Sequence, residues 1–143
     1  MLIHINSKQK KFVLLDQIID NQLSKIEAIK EFNNDPIFLA IEACAQLGAF
    51  HVRFLLDFSR HVFFMKLKNC EIPFIENLSG KYNFVGNLLA KSSDIYSYSI
   101  KMKKNNLLYL DGVFLFAVSD YNENFQRKHL ENHYQQIFSQ INF

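Results

Sequence analysis

Glu42 is the only carboxylate in the apolar stretch from Pro36 to Phe54, PIFLAIEACAQLGAFHVRF, and Gln46 follows it one helical turn later. A carboxylate in such surroundings must be hydrogen-bonded, protonated or used for chemistry, because leaving water costs it solvation. Two readings stand: Glu42 is a general base at a site, or it bonds backbone N–H groups or a second subunit and does no chemistry. Gln46 reads as a neighbour of that carboxylate that bonds backbone beside the helix. His51 lies nine residues after Glu42, about 180° round a helix, so the two side chains point apart. His4, His61, His129 and His133 have no partner at useful spacing and read as surface or structural histidines. Asp16 reads as a polar strand residue making a turn-side hydrogen bond. Cys44 and Cys70 show neither CxxC spacing nor a histidine at ligand spacing, so no metal site is expected; free thiols in a reducing compartment are the simpler reading.

The elements that must hold these residues can be read from periodicity. Asn33-Asn34-Asp35-Pro36 supplies a helix start, with Asp35 as N-cap and Pro36 at the first helical position, and the helix is expected to run to about Asp57. Being apolar on all sides, it belongs in the middle of a fold. Before it, Phe12–Ile19 and Lys25–Phe32 have strand character and form a hairpin around Asn21-Gln22. After it come four strands, His61–Lys68, Lys81–Ala90, Ile95–Lys103 and Leu107–Val118. Hairpin turns are expected at Lys91–Asp94 and Asn105-Asn106, and Ser79-Gly80 closes the connection that starts at Cys70. The aromatic residues Phe63, Phe64, Phe84, Tyr96, Tyr98, Phe114 and Phe116 read as core and sheet-face packing, a lining that an acyl chain would also suit. From Gln126 to Ile141, Leu130, Tyr134, Ile137, Phe138 and Ile141 share one face of an amphipathic helix. The order of elements argues for an α+β layer fold with an antiparallel sheet curled around one helix.

Composition narrows the function classes. The 143 residues suit one domain, and 49% hydrophobic with 21% charged residues is ordinary for a globular protein with a core. A net charge of +2, evenly mixed, argues against nucleic acid or an anionic membrane surface as partner. Lys101, Lys103 and Lys104 read as the solvated end of a hairpin. The N-terminus lacks the pattern of a signal peptide. Glu42, Gln46, His51 and Arg53 interrupt the longest apolar run, so no membrane span is expected and a cytoplasmic location is.

The IEACAQLG helix, the opening LLDQIID and this order of elements resemble the hotdog-fold 3-hydroxyacyl-ACP dehydratases, whose chains carry an LLVDRV-type strand and an IEAMAQ-type helix. The resemblance covers roughly Phe12 to Val118. It implies a single hotdog domain over residues 1–143, with a core at about 12–119 and the C-terminal helix at about 126–141. It also implies an acyl thioester on ACP or CoA as substrate, no cofactor, and a site formed between two subunits. On it, Glu42 becomes the catalytic carboxylate and Gln46 a substrate-side neighbour. The histidine of the family's HFPG segment is missing, since NNDPIFLA is all that lies between Phe32 and Ile41. The two-residue His/Glu mechanism therefore does not carry over intact. The chain is more similar to the dehydratase-like hotdog proteins of aryl-polyene and related pathways, which also lack that segment. Three functions follow from the resemblance: an enzyme of the dehydratase-like or thioesterase-like type using Glu42, a non-catalytic partner of an active dehydratase, or a structural or acyl-binding module with no chemistry, as homodimer or heterodimer.

Overall fold

The computed structural model describes residues 3–4, 14–73 and 76–120. Their order is β1 (Ile3–His4), β2 (Gln17–Asn21), β3 (Lys25–Asp35), α1 (Ile37–Leu55), β4 (His61–Glu71), β5 (Leu78–Lys91), β6 (Ile95–Lys104) and β7 (Leu107–Ser119). The strands form one sheet in the order β1-β2-β3-β5-β6-β7-β4, and every neighbouring pair is antiparallel. β3 and β5 are neighbours although the helix and β4 separate them in sequence, so α1 is carried across the face of the sheet and β4 returns on the far side as an edge.

Alternation decides which face meets the helix. Phe84 on β5, Tyr98, Ile100 and Met102 on β6, and Leu110, Phe114 and Phe116 on β7 are fully buried, while their odd-numbered or even-numbered neighbours are half-buried or exposed. Against this face α1 lays Ala40, Ala43, Cys44, Leu47, Gly48, Ala49 and Val52. Small residues let the helix come close. A Cβ on Gly48 would lie 2.3 Å from Cζ of Phe116, so only glycine fits there.

Turn chemistry closes the hairpins. Asn105 and Asn106 take φ values of 51° and 64°, the left-handed pair that a two-residue hairpin requires. Ser92 N–H donates to the Ile95 carbonyl across the β5–β6 turn (2.8 Å), at the hairpin expected from Lys91–Asp94. The helix ends with Asp57 and Phe58 in the left-handed region and Phe58 N–H donating to the Arg53 carbonyl.

Several boundaries differ from the sequence reading. The first hairpin strand is Gln17–Asn21, later than expected, and Ser79-Gly80 belongs to β5 rather than to a preceding loop. Asp35 does not cap α1. Its carboxylate accepts from Asn33 N–H at 2.9 Å, Pro36 takes the N-cap position, and among the described residues no side chain caps the helix. Phe63 and Phe64 are exposed rather than core, because β4 has a neighbour on one side only and its pairing with β7 shifts at two irregularities, although the Phe64 ring keeps its expected sheet-face packing beside Phe114 and Phe116. The expected helix over 126–141 lies outside the described residues.

Candidate functional site

The site begins at the uncapped start of α1. With no acidic residue in its first turn and no side-chain cap, the N-terminal end of this 19-residue helix carries the positive end of its dipole toward whatever sits there. Phe38 in the first turn and Glu42 one turn on are both exposed, and Ile41, Ala45 and Gln46 around them are half-buried. This corrects the expectation of a carboxylate buried inside the fold. The sheet covers one side of α1, and among the described residues the other side is left open at Phe38 and Glu42. The helix is long and apolar enough to cross a membrane by length and composition, with mean hydropathy 1.3, yet it packs across the sheet as the core helix.

Gln46 is engaged as expected for a residue that bonds backbone: its Oε1 accepts from Leu14 N–H at 2.7 Å, which ties the chain entering β2 to α1. Asp16 is also structural, its carboxylate accepting from Glu31 N–H (2.7 Å) and pairing with Lys30 (3.3 Å).

His51 is fully buried, on the far side of the helix from Glu42. Its Nε2 lies 2.6 Å from the Gln22 carbonyl, and its Nδ1 lies 2.5 Å from the Tyr98 hydroxyl. A carbonyl only accepts, so Nε2 carries the proton and Nδ1 accepts from the Tyr98 O–H. Burial lowers the His51 pKa, partly opposed by the bond to Gln22, and burial raises that of Tyr98. With both nitrogens occupied inside the core, this imidazole is not available to substrate. His61 is half-buried at the start of β4, its pKa lowered by burial and by Arg53.

The two thiols are free, and burial raises the pKa of each, so neither has the character of a nucleophile. Among the described residues no three of His, Cys, Asp and Glu converge in a way that would hold a metal ion. The His51–Tyr98–Gln22 network was not legible beforehand: Tyr98 is 47 residues away in the chain, and only the sheet brings it to the helix.

No protein-family model and no curated protein sequence matches the chain. Solved structures do match. The thioesterase HI1161 from Haemophilus influenzae aligns with a TM-score of 0.63 at 15% identity, covering 73% of this chain and 78% of that one. The dehydratase heterocomplex ApeI:P from Xenorhabdus doucetiae aligns at 0.64 and 14% identity, covering 85% and 91%. The Lactococcus lactis protein yhdA aligns at 0.67 and 12% identity, covering 82% of this chain and 100% of its own. At these identities the likeness carries the fold. The antiparallel sheet wrapped on one long helix, together with these alignments over most of each chain, is the hotdog fold expected from the resemblance.

Proposed function

We propose that this chain binds and acts on acyl thioesters, carried by ACP or CoA, at the outward face of α1 with Glu42 as general base. The observation that carries the reading is the pairing of an exposed carboxylate with an uncapped helix N-terminus one turn away, inside a fold shared with a thioesterase and a dehydratase complex. In hydrolysis the Glu42 carboxylate takes a proton from water and the resulting hydroxide adds to the thioester carbonyl. The oxyanion is stabilised by the helix N-terminus, and its collapse breaks the C–S bond, the leaving thiolate recovering the proton. Dehydration of a 3-hydroxyacyl thioester needs more: a base for the α-proton and an acid for the departing hydroxyl.

The dehydratase-like reading of the sequence therefore requires a second group, and His51, sealed in the core, does not supply it. A thioesterase reading requires only Glu42, and this favours it as the second reading. A dimer is part of the proposal. Phe38 (56% exposed) on α1 and Phe63, Phe64 and Met65 (43%, 40% and 46%) on the edge strand β4 leave large apolar side chains and an unpaired strand edge open. A second subunit, a copy of this chain or a dehydratase-like relative, would cover them and enclose Glu42. Free thiols fit a cytoplasmic setting.

The test is turnover of saturated and 3-hydroxyacyl thioesters by the wild-type protein and Glu42→Ala, scoring released thiol and enoyl product separately. Thiol release lost in the variant supports hydrolysis, and enoyl product lost in the variant supports dehydration. Turnover unaffected by Glu42→Ala overturns the assignment of the base. No turnover by either protein, alone or with a dehydratase subunit, leaves a binding role and removes the chemistry.

A further inference from the structure

The segment Leu14–Gln22 is fastened to α1 at both ends. Leu14 N–H donates to Gln46 Oε1, and the Gln22 carbonyl accepts from His51 Nε2. Gln46 and His51 stand about 140° apart round the helix and about 7.5 Å along it, so the segment is tied to two flanks of α1 rather than along one line. Between the ties it buries Leu15 and Ile18. The two fastenings differ in chemistry: an amide side chain does not titrate, whereas an imidazole does.

We propose that the His51 tie is a proton-operated fastening that releases the β2–β3 turn, residues 22–24, from α1 in mild acid while the Gln46 tie and the rest of the sheet hold. Protonation adds a hydrogen to Nδ1, which forces the Tyr98 hydroxyl to turn and accept, leaving its own proton without an acceptor in a fully buried position. It also strengthens the bond from Nε2 to Gln22, but the charge then sits in the core, and burial is the larger effect on this group. Among the described residues no carboxylate bonds or pairs with His51. On the turn, Asp20 is taken up by Gln22 Nε2 and Lys25 pairs with Glu27. On β6 the facing groups are the phenols of Tyr98 and Tyr96, on α1 the Phe54 ring stacks on the imidazole, and Arg53 is directed to the Val62 carbonyl. Hydrating the imidazolium is the cheapest relief, and the turn is its thinnest cover: Gln22, Leu23 and Ser24 are all exposed. Lifting the turn also breaks the bond from Leu88 N–H to the Ser24 carbonyl at 2.9 Å and loosens that from Gln22 N–H to the Lys25 carbonyl at 2.8 Å.

The Leu88 bond supplies the readout. Amide hydrogen exchange followed by NMR between pH 7.5 and 5, corrected for intrinsic exchange, compares Leu88 with Val118, whose N–H bonds the Asp94 carbonyl at the opposite hairpin. Because the opened form takes up one proton, Leu88 protection should fall below about pH 6.5, by up to about tenfold per pH unit, while Val118 stays constant. In His51→Gln, whose amide can donate to Gln22 without titrating, Leu88 protection should not depend on pH. Should that variant fail to fold, the wild-type imidazole resonances decide, since their titration must be accompanied by the loss at Leu88. Constant Leu88 protection down to pH 5, an equal fall in His51→Gln, or a joint fall of Leu88 and Val118 would each overturn the proposal.

Discussion

Substituting Gly48 by alanine tests how the helix is held against the sheet, and so what places Glu42. The added Cβ would sit 2.3 Å from Cζ and 2.4 Å from Cε2 of Phe116, and 3.2 Å from Cδ1 of Ile100. Carbon atoms in contact rest at about 3.5–4.0 Å, so ring and helix must separate by more than 1 Å or the ring must leave its rotamer. Phe116 is fully buried and packs edge-on against Tyr98 (5.7 Å between centroids) and beside Phe64 (5.7 Å), so it has no free direction in which to turn. Overpacking of this kind costs about 1–3 kcal/mol, whereas alanine in place of a mid-helix glycine gains about 1 kcal/mol. The packing cost is expected at the top of its range, for a net loss of about 1–2 kcal/mol. Urea unfolding should show a lower midpoint at unchanged slope, and the melting temperature should fall by several degrees. Phe116→Leu in the Gly48→Ala background should recover part of the loss, giving a favourable coupling in the double-mutant cycle. A Gly48→Ala protein as stable as the wild type would refute the reasoning, because the ring would then be yielding at no cost. Gly86→Ala, whose nearest contact is Ile26 Cγ2 at 3.2 Å, should cost clearly less.

Tyr98→Phe leaves His51 Nδ1 buried without a donor and should destabilise the fold by about 1–3 kcal/mol in chemical denaturation at pH 7.5. The folded pKa of His51 is lowered below the unfolded value of about 6.5, so the unfolded chain takes up the proton first. Stability tied to the neutral imidazole is therefore complete above about pH 6.5 and is lost as pH falls through the folded value, and His61 acts in the same direction. Unfolding midpoints measured from pH 8 to 5 should decline over that window, and the decline should be smaller in His51→Gln. Gln46→Ala removes the acceptor of Leu14 N–H and should cost about 1 kcal/mol by the same assay. Phe64→Lys on the edge strand should shift the protein toward monomer in size-exclusion chromatography, and a wild-type protein already monomeric at micromolar concentration would contradict the proposed dimer.

Much of the fold was legible because its signals are local. The Asn105-Asn106 pair announces a two-residue turn whose backbone most residues cannot adopt, and the alternation on β5, β6 and β7 assigns faces without knowledge of partners. The burial of Glu42 was misread because apolar composition reports a tendency to be covered, not which side the chain itself covers. Among the described residues, strands β3 to β7 pack on one flank of α1 and the flank of Phe38 and Glu42 is left open. Phe63 and Phe64 were misread for a related reason, since β-type composition does not distinguish an edge strand from a central one. The opposed directions of Glu42 and His51 followed from helix geometry alone, whereas the partners of His51 required the tertiary fold. Asp35 lost its capping role to a competing local bond with Asn33, a choice that spacing does not decide.

Binding of an acyl-pantetheine analogue in which the thioester sulfur is replaced by a methylene tests the central claim most directly. Followed by backbone NMR, it should perturb amides from Ile37 to Gln46 on the outward face of α1 and bind more weakly, or in an altered pose, to Glu42→Ala. Perturbations confined to the outer face of the sheet, or no binding at millimolar analogue by the protein alone and with a dehydratase subunit, would contradict a thioester site on this helix.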